Sequence, residues 1–64
     1  MDFMVNYEVI SPAVLASIVE KQFECLCDWH EIDEDSCLFI VFLPDDSKIL
    51  RIEIQKFIEQ RITY

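Results

Sequence analysis

Four residues of zinc-binding type fall close together in this 64-residue chain: Cys25, Cys27, His30 and Cys37, written C-x-C-x2-H-x6-C. Thiolates and a neutral imidazole can close a tetrahedral site, but the spacing works against one. On a strand, Cys25 and Cys27 share a face and His30 points the other way; on a helix, Cys27 and His30 align and Cys25 turns away. The sequence therefore predicts no bound metal and no cofactor. The cysteines read as small apolar core residues and His30 as a surface group.

Cys25 or Cys27 with Asp28 and His30 could also be written as nucleophile, orienter and base. Such a triad needs oxyanion donors and a pocket that excludes water, which a chain this short seldom encloses. The acid run Glu31-Ile32-Asp33-Glu34-Asp35 could draw a hard cation, yet no glycine is present to bend a loop around it. The absence of glycine also removes phosphate-binding loops, dinucleotide-binding turns and the nucleophile elbow. No catalytic residue is assigned, and the chain is expected not to be an enzyme.

The elements that would hold these residues follow from pattern. Residues 3 to 9 alternate, with Phe3, Val5, Tyr7 and Val9 on one side, as in a half-buried strand. Ser11-Pro12 opens a helix over about 12–24, with Leu15, Ile18, Val19 and Phe23 at helical spacing. Residues 37–43 are β-branched and aromatic and end at the turn Pro44-Asp45-Asp46-Ser47. Residues 48–54 alternate Leu50, Ile52 and Ile54 against Arg51 and Glu53, as a second hairpin strand would. Residues 25–32 supply a further strand of a meander, and 56–64 a short amphipathic helix or a strand extension. The expected fold is a small α+β domain spanning residues 1–64, built from an N-terminal strand, one main helix and an antiparallel hairpin or three-stranded meander (about 25–32, 37–43, 48–54).

Charge is local. Between Lys21 and Lys48 lie Glu24, Asp28, Glu31, Asp33, Glu34, Asp35, Asp45 and Asp46, and no lysine or arginine; the rest of the chain balances five acids with five bases, so the net charge of −8 belongs to this window. Such a surface repels nucleic acid and acidic membranes and steers encounters with basic ones. These eight acids, with Trp29 as an apolar anchor among polar groups, are the expected partner-binding residues.

In a meander, the 31–35 cluster and the 45–46 pair would stand at opposite ends of the middle strand, about 20–25 Å apart. Spaced carboxylates of this kind could imitate phosphates. The chain shares size and acidity with DNA-mimicking inhibitors, often encoded by viruses or phages against host defence or nucleic-acid-handling enzymes. The sequence thus predicts a non-enzymatic acidic binding module, an inhibitor engaging a basic partner surface in the cytoplasm.

Both faces of 37–43 are apolar, and 53% of the chain is hydrophobic, so the second sheet face needs cover from the C-terminal segment or from a second copy, of which the second copy is the preferred reading. Phe39, Val41 and Leu43 are the expected oligomer interface of a homodimer. The alternatives are a structural or adaptor protein associating through its apolar sheet face, and a small zinc-binding regulator.

Overall fold

The alternation that opens the chain becomes β1 (Asp2–Asn6), which places Val5 fully inside. It stops at Asn6, whose carbonyl accepts the amides of Val9 and Ile10 and whose side chain accepts that of Glu8 at 2.8 Å. These bonds turn the chain towards the helix, so Val9 is exposed and does not extend the strand. The computed structural model describes residues 1–45 and 47–62.

Helix α1 (Pro12–Phe23) starts where Ser11-Pro12 predicts. The Ser11 carbonyl accepts the Leu15 amide at 3.0 Å, although its side chain makes no capping bond. Leu15, Ala16 and Val19 are buried at i, i+1 and i+4, one stripe of a helical surface. The helix ends at Glu24 in the left-handed region (φ 52°), the conformation in which a helix commonly closes on glycine. That reversal leads directly into β2 (Leu26–Glu31).

β2 and β3 (Ser36–Phe42) form an antiparallel hairpin, and β1 pairs with the other edge of β3, giving the order β1-β3-β2. The hairpin turn is held by Asp33, whose Oδ1 accepts the amides of Asp35 (2.8 Å) and Ser36 (2.9 Å) and the Ser36 hydroxyl (3.0 Å). These donors pull the Asp33 carboxyl below its ordinary range, the Asp35 amide foremost.

Residues 48–54 are not a strand. They open α2 (Lys48–Ile62), one continuous helix that also absorbs the expected C-terminal segment up to Ile62; Thr63 and Tyr64, the end of that segment, lie outside the described residues. Within seven residues Leu50, Ile52 and Ile54 alternate. Over fifteen, Leu50, Ile54, Phe57, Ile58 and Ile62 recur at i, i+4, i+7, i+8 and i+12, the helical period. The interior follows the longer pattern, with Ile54 and Ile58 fully buried and Ile52 exposed.

Both helices contribute to one core with Val5, Cys37, Phe39 and Val41 from the sheet. Phe23 and Phe57 meet edge to face at 5.4 Å, and the Arg61 guanidinium lies 5.0 Å from the centre of the Phe57 ring. Phe39 and Val41 are 0% and 1% exposed. Expected at an oligomer interface, they are instead interior residues of the single chain, because the two helices cover the odd-numbered face of β3. Leu43, the third expected interface residue, is half-buried just beyond β3.

Candidate functional site

The face of the sheet turned away from the core carries the even-numbered residues. Directly opposed residues of neighbouring strands share a face, so the register lays out rows. Asp2, Ile40 and Asp28 form one row; Met4, Leu38 and His30 the next; Leu26 and Phe42 a third. Leu26, Met4 and Phe42 are 69%, 56% and 54% exposed, an apolar strip with a carboxylate on each side of Ile40.

The predicted partner-binding residues are not gathered on this face. Asp28 lies on it, with Oδ2 3.7 Å from His30 Nε2 and Oδ1 accepting the Trp29 amide at 2.8 Å. Trp29 pairs with the buried Phe39 and so belongs to the helix-bearing side, at the sheet edge, partly exposed. Glu31 pairs with Cys37 on that same side. Asp33, Glu34 and Asp35 stand at the hairpin turn, whereas Glu24 and Asp45 lie beyond the other end of β3. Asp46 lies outside the described residues. Seven residues of β3 separate the two groups, about 23 Å of strand. The acidic window therefore wraps the β2 edge and both ends of the sheet. Among the described residues, no lysine or arginine forms an ion pair with any of its acids.

The end holding Glu24 is a groove of about 530 Å³ with Glu20 and Glu24 beside apolar Leu26, Phe42, Leu43 and Pro44. Sequence reasoning left Glu20 out because it lies before Lys21, outside the uncompensated window. Its place one helical turn from Glu24 is the signal that could have found it.

The cysteine and histidine set is not assembled. Cys27 lies opposite Val41 on the core side, and His30 opposite Leu38 on the open side. Cys25 and Cys37 are buried and all three thiols are free. Among the described residues, no group of three or more histidine, cysteine or acidic side chains is placed to hold a metal. Burial pushes all three thiols up, Cys27 to about 12 with the Cys25 thiol adding to the shift, so they are protonated at neutral pH. The Tyr7 hydroxyl is closed off from solvent with no hydrogen-bond partner of ordinary geometry among the described residues. Its phenol is raised by burial first and then by Glu31.

No helix among the described residues is long and apolar enough to cross a membrane. Comparison with known proteins adds no relative: no family model, no curated protein and no solved structure matches the chain.

Proposed function

We propose that the protein is a non-enzymatic binding module whose acidic side engages a basic surface of another protein, acting as an inhibitor or adaptor. The observation that supports this reading is the set of window acids, which no lysine or arginine of the described chain neutralises. Carboxylates that no lysine or arginine neutralises keep their long-range field, and the nearest complement is a lysine- and arginine-rich surface. Enzymes that handle nucleic acid carry such surfaces, which makes a host enzyme of that class the partner we put forward.

Affinity capture from cell extract tests the reading. Retention should weaken steeply as salt is added, since screening acts on exposed charge. It should also be lost when Glu31, Asp33, Glu34, Asp35, Asp45 and Asp46 are converted to their amides. Unchanged retention by that variant at low salt overturns the proposal.

The second reading is association through the open sheet face, favoured by the exposure of Met4, Leu26 and Phe42. Purely apolar association would persist in salt, which separates the two.

A further inference from the structure

The bases missing from the acidic window are concentrated elsewhere: Lys48, Arg51, Lys56 and Arg61, four of the five in the chain, lie on α2. Arg61 is occupied over the Phe57 ring. On the outward face of α2, Lys48, Ile52 and Lys56 stand at i, i+4 and i+8, one row along the helix. Ile49, one turn before Ile52, lies beside it. Ile49 and Ile52 are 75% and 53% exposed, and both lysines are exposed. The outward face of α2 is thus an apolar pair between two cations, with the exposed Glu53 one turn from both Ile49 and Lys56 at its margin.

The open sheet face carries the inverse pattern. Asp2 and Asp28 flank Ile40 in a single row across three strands. Two strand spacings put the acids about 10 Å apart, and eight helical residues put Lys48 and Lys56 about 12 Å apart. Beside Asp2 and Asp28 stand the Met1 amino group at 4.0 Å and the His30 ring at 3.7 Å, and among the described residues no lysine or arginine pairs with either. From these juxtapositions we infer that α2 of one copy docks across the open sheet face of a second copy, the Lys48–Ile52–Lys56 row on the Asp2–Ile40–Asp28 row.

Charge decides how the copies meet. Sheet face on sheet face would oppose carboxylates to carboxylates, and α2 on α2 would oppose lysines to lysines; sheet on helix is the pairing of opposite sign. The contact is therefore head to tail, the pair keeping one free sheet face and one free α2, and it propagates or closes into a ring instead of stopping at a two-fold dimer. Glu59, the acid one turn beyond Lys56, bonds Gln55 at 3.3 Å. Ile49 falls towards the neighbouring rows of the sheet, where Met4 and Leu38 or Leu26 and Phe42 offer apolar contact. The inference rests on the reading that the acidic side binds a basic surface, and supplies one such surface from the chain itself.

Sedimentation velocity on two charge-reversed variants tests it. One carries Lys48→Glu and Lys56→Glu, the other Asp2→Lys and Asp28→Lys; all four sites are exposed, so the fold is retained, which circular dichroism checks. At low salt the unmodified chain should gain mass with concentration beyond a dimer. Each variant alone should stay monomeric. An equimolar mixture should associate, because the intact sheet face of the first accepts the intact α2 of the second and the reversed α2 of the first fits the reversed sheet face of the second. The chain carrying all four changes should associate again. A monomeric unmodified chain, or a mixture that stays monomeric, overturns the inference, as does a variant that dimerises alone. Capture of a basic partner from extract by a monomeric chain would overturn the inference and leave the proposed function standing.

Discussion

Burial fixes the behaviour of the three cysteines more firmly than their spacing does. A thiolate is the reactive form, and here desolvation raises each thiol from its ordinary 9.0, Cys27 to about 12. A folded-state value above the unfolded one favours the protonated thiol in the native chain. The associated stability is whole below about pH 9 and is lost as pH rises through 9 towards 12. Thermal melts should therefore fall progressively above pH 9. Iodoacetamide at pH 8 should label the native chain slowly and the denatured chain at the rate of free cysteine, whereas prompt labelling of the native protein would contradict this account. That the cysteines pack as apolar core residues was legible in the sequence, since neither strand nor helix could turn them and His30 to one point. The partner-binding acids were legible as a set but not as a surface. Trp29 and Asp28, adjacent in sequence, go to opposite faces, and that depends on the register of β2 against β3, which charge counting does not contain.

At the scale of elements, α1 was readable because a local start signal and a helical stripe agree. Ser11-Pro12 fixes the beginning, and Leu15 and Val19 supply the buried face. The region 48–54 was misread because a short window of a helix can alternate by coincidence, and the period shows only when Phe57, Ile58 and Ile62 are included. The two structures make opposite demands on Ile52. In a strand Ile52 and Ile54 share a face and matter alike; in α2 Ile54 is fully buried and Ile52 is 53% exposed. Ile54→Ala should cost about 2–5 kcal/mol by emptying a core position, and Ile52→Ala should stay within about 0.5 kcal/mol. Urea unfolding of the two variants, under conditions that keep the chain monomeric, measures the difference. The same ambiguity hid the open face. In β3 both faces are apolar, so pattern alone could not say whether Phe39 and Val41 or Leu38, Ile40 and Phe42 look inward.

For the whole molecule, a net charge of −8 on 64 residues acts against compaction, because like charges held on a small folded surface repel. Added salt screens that repulsion, so the melting temperature should rise between about 10 and 150 mM salt, where the Debye length shrinks from about 30 to about 8 Å. A flat or falling trend in differential scanning calorimetry would show that the repulsion is not a significant load on the fold. A second load is conformational. Glu24 (φ 52°) and Asp45 (φ 49°) both hold left-handed backbone, a region that costs a residue with a Cβ about 1–2 kcal/mol. Glycine would relieve it, and an average chain of this length would carry about four or five glycines. Each glycine, however, widens the unfolded ensemble, by an amount worth about 0.4–1 kcal/mol relative to a residue with a side chain. A chain with none keeps its unfolded state narrow and loses less entropy when it orders. The strain at Glu24 and Asp45 is set against that stiffer unfolded chain, so part of what holds this thin fold together resides in the state where none of its contacts exist.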